Sequence, residues 1–170
     1  MGIFLYLIKL NFMFLRIELM ASKKLIGFST ETSLANDQTA VIWKRFMPRL
    51  KEVKNAVSAD LFSLQIYDFQ KIQKFTPKTV FKKHALVEVR NFNLIPEEFE
   101  EFVLQSGKYA VFLHKGSNTD FPNTAQYIYA EWLPNSNYEL DDRPHFEVLG
   151  DNYKGHEDPE NEEEVWIPIR

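Results

Sequence analysis

Residues 141–150 read DDRPHFEVLG, and they contain the short strand on which the interpretation of this chain depends. After a polar turn closed by Pro144, an apolar run with one carboxylate, Glu147, in its middle predicts a β-strand. Because side chains alternate between the two faces of a strand, Phe146 and Val148 point one way and Glu147 points the other. If Phe146 and Val148 meet the helices of the fold, Glu147 faces the opposite side of the sheet.

The composition is that of one folded domain. The chain has 170 residues, of which 45% are apolar and 15% aromatic, enough to bury a full hydrophobic core. The charged fraction of 26% argues against disorder, and the net charge of −4 gives no electrostatic support to general nucleic-acid binding. The absence of cysteine excludes disulfides, thiolate catalysis and Cys-ligated metal centres, and it fits the cytoplasmic location that we expect.

The amino-terminal stretch MGIFLYLIKLNFMFLRIELM (1–20) has the composition of a membrane segment, but its longest apolar run is six residues. A membrane-spanning helix needs about 20 predominantly apolar residues. A basic leader region and a convincing cleavage site are also missing, so we expect no membrane anchor and no secretory signal. Residues 1–12 are interpreted as a poorly specified extension, with translation starting at Met1, Met13 or Met20, and 13–170 as a single domain.

The remaining chain predicts two similar halves, each with the order β-α-β-β. A helix follows Asp37 in the first half, and Pro48 should kink or divide it. A second helix follows Asp120 and ends before Pro134. Gly27 indicates a bulge or a close approach of two backbones. The predicted extended stretches are 14–19, 23–32, 59–69, 84–92, two within 99–116, 145–150 and 164–170. This order favours an α+β fold with a mainly antiparallel sheet over a doubly wound one.

Motifs for common catalytic and cofactor chemistry are absent from the sequence. It contains no G-x-S-x-G nucleophile elbow, no phosphate-binding loop and no dinucleotide fingerprint. His145 and Glu147 share a strand face, but this pair falls short of the ligand number that a zinc site needs. We therefore predict no metal, no cofactor and no catalytic residue. The acidic run EDPENEEE (157–164) is interpreted as a solvated hairpin loop.

Four fragments follow one another in the second half: GKYAVF (107–112), WLPNS (132–136), PHFE (144–147) and IPI (167–169). In this order they resemble the GyrI-like small-molecule-binding domain, and the resemblance runs from about Phe14 to Arg170. This effector-binding domain follows the DNA-binding part of some AraC-type and MerR-type regulators and also occurs alone. Since no helix-turn-helix precedes the domain in this sequence, we expect the stand-alone form.

The resemblance implies two pseudo-symmetric β-α-β-β modules side by side, with the helices on one face and a ligand cleft between the halves. It also implies that Glu147, in the Pro-x-Phe-Glu fragment, is the acidic residue of the pocket. Members of the family bind lipophilic, often cationic compounds between aromatic side chains and this carboxylate. A buried carboxylate without a partner is unfavourable, and a bound cation would supply the missing charge. Aromatic walls would add cation–π attraction.

Strand alternation extends the predicted site beyond Glu147. Tyr67 and Gln65 occupy the equivalent face of the first half, while Trp166 shares a face with neither and could also line the cleft. Tyr109 and Phe112 lie on opposite faces of the adjoining strand, so at most one of them reaches the ligand. The predicted ligand-binding residues are Glu147, Tyr67, Gln65, Trp166, Tyr109 and Phe112.

These inferences predict a module that binds lipophilic, cationic small molecules without direct contact to nucleic acid, as a monomer or weak homodimer. Two alternatives stay open. The family includes inhibitors of DNA gyrase, so gyrase is a possible partner. Some relatives resemble hydrolases of electrophilic natural products, in which the pocket Glu positions water. Because no companion acid or nucleophile accompanies Glu147, the enzymatic alternative is the weaker one.

Overall fold

The computed structural model describes residues 13–72 and 74–170, so the predicted extension at 1–12 lies outside the described residues. The strands are β1 (Phe14–Met20), β2 (Lys23–Thr32), β3 (Ala56–Ile66), β4 (Phe81–Val89), β5 (Glu100–Leu104), β6 (Gly107–Lys115), β7 (His145–Leu149) and β8 (Glu162–Pro168). The helices are α1 (Thr39–Phe46) with a 3-10 continuation (Met47–Glu52), α2 (Phe69–Ile72), α3 (Phe121–Gln126) with a π-helical continuation (Tyr127–Trp132), and α4 (Leu133–Asn135). Within the described part of the chain, none of these helices is long and apolar enough to cross a membrane.

All eight described strands join one sheet, in the order β1-β6-β8-β7-β3-β4-β2-β5, and every strand pairing is antiparallel. The first module is β2-α1-β3-β4 and the second is β6-α3-β7-β8. In the sheet, the order β3-β4-β2 of one module mirrors the order β7-β8-β6 of the other. The modules meet where β3 pairs with β7. The predicted α+β fold with two pseudo-symmetric modules is therefore confirmed.

Short linkers force this sheet to curl. Two residues join β1 to β2, although six strand-to-strand steps separate these strands in the sheet. Six steps in a flat sheet would cover about 29 Å at roughly 4.8 Å per step, whereas the linker spans at most about 11 Å. A second linker of two residues joins β5 to β6 across the same number of steps. The two ends of the sheet must therefore curl toward one another.

Curling gives the sheet a concave face without helices and a convex face that carries them. The concave face holds one apolar cluster built from both halves, with Leu64 and Leu86 from the first module and Val111 from the second. On the convex face, α1 covers a cluster around Phe46 in the first half. The π-helix covers a separate cluster around Ile128 in the second half. Between these two clusters, where the modules meet, the convex face carries side chains that belong to neither cluster.

The two prolines that punctuate the helices act differently. Pro48 divides the first helix as predicted, because α1 ends at Phe46 and the chain continues as a 3-10 helix with Pro48 in its first turn. The prediction that the second helix ends before Pro134 was wrong. Pro134 lies in α4, which continues the helical path from Phe121 without a break, and the path ends one residue later at Asn135.

At Gly27 the backbone of β2 lies close to that of β4, and the predicted close approach of two backbones is confirmed. A Cβ atom at this position would overlap the carbonyl oxygen of Ala85 and would lie 3.0 Å from Cα of Leu86. Gly150, by contrast, has room, since an added Cβ would meet a single neighbour, Oδ1 of Asp60, at 3.4 Å.

We expect Gly27→Ala to lower the free energy of unfolding by about 2–3 kcal/mol, because backbone atoms of β4 must shift to admit the methyl group. Gly150→Ala, the matched control, should change it by less than about 0.5 kcal/mol. Urea denaturation followed by circular dichroism measures both. Equal effects of the two substitutions would contradict the close approach of β2 and β4.

His84 is buried on the concave face with no hydrogen-bond partner for either ring nitrogen among the described residues. Its ring packs against Phe102 at a centroid distance of 5.0 Å. Burial, reinforced by the positive charge of Lys82, lowers the pKa of His84 from 6.5 to about 4. The imidazole is therefore neutral in the folded protein at pH 7.

This shift predicts a pH-dependent loss of stability. The unfolded chain binds a proton at His84 near pH 6.5 and the folded protein near pH 4, so the free energy of unfolding falls as the pH drops through this window. The total loss from this residue is roughly 3 kcal/mol. In His84→Leu this contribution should disappear while that of His145, whose pKa burial also lowers to about 4, remains, and urea denaturation at several pH values would show the smaller loss. Parallel pH profiles of the two proteins would contradict the burial of an uncharged His84.

Candidate functional site

Glu147 lies on the convex face of the sheet, at the line where the two modules meet. Its strand pairs with β3, so that Glu147 stands opposite Ser63 and Phe146 stands opposite Leu64. Phe146 belongs to the concave cluster, and Val148 packs against it. The condition that Phe146 and Val148 meet the helices is therefore not fulfilled, and Glu147 lies on the helix-bearing face. Strand alternation correctly placed Phe146 and Val148 on the face opposite Glu147. The side chains that bury Phe146 and Val148 belong to the concave cluster and not to the helices.

Buried polar side chains follow this line between the two helix-covered clusters. We call them the central strip, and its members are Ser63, Gln65, Lys83, His145, Glu147 and Glu163, with Tyr67 and Tyr129 packed beside them. Glu163 and Tyr67 are half-buried, whereas the other strand residues of the strip are buried. Burying several polar and charged groups is unfavourable unless they pair with one another. Their contacts therefore decide what the strip can do.

The carboxylate of Glu147 is paired inside the protein. Nε2 of Gln65 donates a hydrogen bond of 2.8 Å to Oε2 of Glu147, and Nζ of Lys83 lies 3.7 Å from the same oxygen. The expectation of a carboxylate without a partner was therefore wrong, because β3 and β4 of the other module supply both partners. Within residues 13–72 and 74–170 both contacts reach Oε2. The other carboxylate oxygen, Oε1, has no hydrogen-bond or ion-pair partner among the described residues.

Glu163 is a second acidic group of the strip. Burial and then the negative charge of Glu147 raise the pKa of Glu163 from 4.5 to about 7, while a hydrogen bond from Asn161 and the charge of Lys83 oppose the rise. At neutral pH its carboxyl group is therefore about half ionised. The interpretation of 157–164 as a solvated loop was wrong for its last part, since Glu162–Glu164 form the start of β8.

Two tyrosines and a histidine close one end of the strip. The hydroxyl of Tyr129 and Nδ1 of His145 share a hydrogen bond of 2.8 Å, and the ring of Tyr67 meets His145 edge-on at a centroid distance of 5.1 Å. Burial lowers the pKa of His145 to about 4, which makes it neutral at pH 7. Burial and nearby negative charge raise the pKa of both tyrosines, so their hydroxyls stay protonated. Although 39% of Tyr129 is exposed, its hydroxyl end turns inward.

Tyr129 reaches the strip from the π-helix Tyr127–Trp132. Such π-helical turns are rare and are frequent at functional sites. Sequence analysis placed this segment in an ordinary helix and did not include Tyr129 among the predicted site residues. It also missed Lys83 and Glu163, although alternation along their strands could have placed Lys83 with Ala85 on the helix-bearing face.

The other predicted site residues lie elsewhere. Trp166 and Tyr109 are on the concave face, where their rings pack on Phe146 at centroid distances of 5.3 and 5.2 Å. Phe112 is on the convex face, but it packs against Trp132 at 5.1 Å within the second helix-covered cluster. The structure thus brings together only Glu147, Gln65 and Tyr67 of the six predicted residues. Their role in ligand binding stays a prediction.

The concave face has a cleft of its own, of about 290 Å³. We call it the concave cleft, and its lining includes the rings of Phe62, Phe146 and Trp166 and the carboxylates of Glu18, Glu88 and Glu164. These carboxylates are paired: Nζ of Lys23 lies 3.0 Å from Glu88, and Arg16 bridges the other two at 2.6 and 2.8 Å. Aromatic rings beside carboxylates make this cleft a rival location for a cationic ligand.

Comparison with known proteins identifies the family. Residues 13–170 match the family model of the GyrI-like small molecule binding domain. The chain belongs to this family. It is also 28% identical over 144 residues to the transcriptional regulator BrlR of Pseudomonas aeruginosa, and the match covers 85% of this chain and 51% of BrlR. The GyrI-like chain thus spans about half the length of this curated relative.

Solved structures share the fold. The C-terminal domain of EcmrR superposes with a TM-score of 0.67 at 14% identity, covering 92% of this chain and 98% of that domain. SAV2435, whose structure was solved bound to tetraphenylphosphonium, superposes with a TM-score of 0.64 at 19% identity, covering 91% of this chain and 93% of SAV2435. At these identities the comparison establishes the GyrI-like fold and leaves the ligand of this chain open.

The electrostatic coupling of the two acids can be measured directly. In protein labelled with ¹³C at glutamate, we expect the side-chain resonance of Glu163 to titrate with a pKa of about 7. In Glu147→Gln this pKa should move down, because the neighbouring negative charge is gone while burial remains. Glu88→Gln changes a carboxylate on the concave cleft and should leave the pKa of Glu163 unchanged. An unchanged pKa in Glu147→Gln would contradict the coupling.

Proposed function

We propose that the protein binds lipophilic organic cations at the central strip, with Glu147 as the charged anchor. The observation that carries this proposal is that Glu147, a residue only 9% exposed, is fixed through Oε2 by Gln65 and Lys83 and has no hydrogen-bond or ion-pair partner for Oε1 among the described residues. Membership of a small-molecule-binding family supports the proposal. So does the tetraphenylphosphonium bound to SAV2435, since that ion is itself a lipophilic cation.

The physical basis is attraction in a poorly solvated place. Opposite charges about 4 Å apart attract by roughly 4 kcal/mol at an effective dielectric constant of about 20, against roughly 1 kcal/mol in water. The rings of Tyr67 and Tyr129 add cation–π attraction of about 0.5–2 kcal/mol where they face the ligand. A lipophilic cation gains from this arrangement because its charge is weakly hydrated and its apolar surface is buried on binding.

Entry of a ligand requires a movement. At 9% exposure, Glu147 is covered by its neighbours, and Tyr129 is held over the strip by its hydrogen bond to His145. We expect Tyr129, which lies on the π-helix, to give up its hydrogen bond to His145 when the ligand enters. In this proposal Tyr129 and Tyr67 become walls of the site while Glu147 and Gln65 form its floor.

Hydrolysis, in which Glu147 would act as a general base toward water, has no observation of its own among the described residues. No contact in the described residues selects DNA gyrase as a partner, so that alternative has no observation of its own. A cytoplasmic location and a monomeric or weakly dimeric state stay predictions.

Calorimetric titration with tetraphenylphosphonium tests the proposal on three proteins: the native chain, Glu147→Gln and Glu88→Gln. We expect affinity to fall about tenfold or more in Glu147→Gln, equivalent to about 1.4 kcal/mol, because glutamine keeps the shape and removes the charge. Glu88→Gln should bind within about twofold of the native protein. Circular dichroism checks that each variant is folded.

The outcomes separate the two faces of the sheet. Equal binding by the native protein and Glu147→Gln would reduce Glu147 to a structural ion-pair partner and defeat the proposal. A loss of affinity in Glu88→Gln alone would move the ligand to the concave cleft, where Glu88 lies beside the aromatic rings.

A further inference from the structure

Lys83 stands where the positive charge of a ligand would stand. Its ammonium lies 3.7 Å from Oε2 of Glu147, and its strand places it directly opposite Gln65, the other partner of that oxygen. Only 6% of Lys83 is exposed. Lysine is almost never buried unless it is paired, and of the lysines whose burial the structure describes, Lys83 is the buried one. A buried cation next to the proposed anchor needs an explanation.

We propose that Lys83 is a displaceable counter-ion, which neutralises Glu147 in the free protein and competes with the ligand for it. This inference rests on the proposed function and adds a residue that sets which cations bind. In the free protein the ion pair avoids leaving the Glu147 carboxylate buried and uncompensated. A ligand can then bind the Glu147 carboxylate only if its own binding free energy outweighs the loss of the ion pair between Lys83 and Glu147.

Glu163 gives Lys83 a second place to go. It lies on the same face of the sheet, and its carboxyl group interacts electrostatically with both Glu147 and Lys83. No ion pair joins Lys83 to Glu163 within the described residues. When Glu163 is ionised, the two negative charges of Glu147 and Glu163 exceed the single positive charge of Lys83. One further cation would then neutralise the strip. When a cation takes Glu147, Lys83 transfers to Glu163 and every charge of the strip stays paired.

The competition defines the chemical class of the ligand. A small, strongly hydrated ammonium offers nothing that Lys83 does not already supply. A neutral lipophile gains apolar burial but has no attraction to Glu147. A monovalent cation with a large apolar surface gains both burial and the carboxylate, so we expect the strip to select this class over hydrophilic amines and over neutral analogues.

Titration calorimetry with tetraphenylphosphonium and with the neutral triphenylphosphine oxide tests the inference. Removing the competitor in Lys83→Met should tighten binding of the cation by about tenfold while changing binding of the neutral probe by less than about threefold. Lys82→Met removes a charge from the exposed neighbour on the same strand and should have less than about a twofold effect on either probe. Lys83→Gln keeps a hydrogen-bond donor beside Glu147 and serves if Lys83→Met does not fold.

Double variants show whether the effect passes through the proposed partners. The double variant Lys83→Met/Glu147→Gln should bind the cation no more tightly than Glu147→Gln alone, because the competitor matters only while the carboxylate is charged. Glu163→Gln should weaken binding of the cation about threefold or more in the native background and leave it unchanged in Lys83→Met, since only Lys83 uses the second acid.

The results distinguish failure of this inference from failure of the proposed function. If binding depends on Glu147 but folded Lys83→Met and Lys83→Gln bind the cation no more tightly than the native protein, the counter-ion role is wrong and the function stands. If Glu147→Gln binds like the native protein, or if neither the native protein nor the Lys83 variants bind, both are wrong. If the native protein fails to bind and Lys83→Met binds, the counter-ion role is supported.

Discussion

The linkers between β1 and β2 and between β5 and β6 are the constraint on which the rest of the structure depends. Each linker has two residues and connects strands from opposite ends of the sheet. Both connections are possible only if the sheet curls. The curl makes one face concave, where side chains of both modules share one apolar cluster. On the convex face each module carries its own helical cover over a separate apolar cluster, and Tyr129 is the side chain of the second cover that reaches the junction. The central strip lies along the line between the two helix-covered clusters.

The strip is therefore a place where charge is tolerated at an energetic disadvantage. Apolar residues of similar volume would stabilise such a junction at least as well as an ion pair between Lys83 and Glu147, because desolvation offsets most of the attraction between buried charges. The pair is reinforced by Gln65, but it lies among groups whose pKa values are displaced by burial. Perturbed titratable groups gathered in one location are typical of binding sites. Stability alone gives no reason for this composition.

Sequence reasoning reached the order of the elements and the faces of the strands, because both follow from local periodicity. It grouped Glu147, Gln65 and Tyr67 on one side for this reason. It could not tell which side carries the helices, since both faces of this sheet hold apolar clusters and the polar face of β7 could belong to either one. The contact of Lys83 with Glu147 depends on pairing across the two modules, which strand alternation within either module does not contain. The buried end of β8 was hidden because its glutamates continue an acidic loop.

Glu147 and Tyr129, on the two sides of the site, are oriented by different kinds of backbone structure. The direction of Glu147 is set by strand pairing, which a substitution elsewhere in the sheet leaves intact. The direction of Tyr129 is set by helical phase, and each residue of a regular helix advances that phase by about 100°. Loss of a single residue between Tyr127 and Trp132 would convert the wide turn into an ordinary one and rotate the tyrosine away from the strip. The position of Tyr129 is therefore sensitive to insertion or deletion of one residue in this helix, whereas the strand register that positions Glu147 is independent of it.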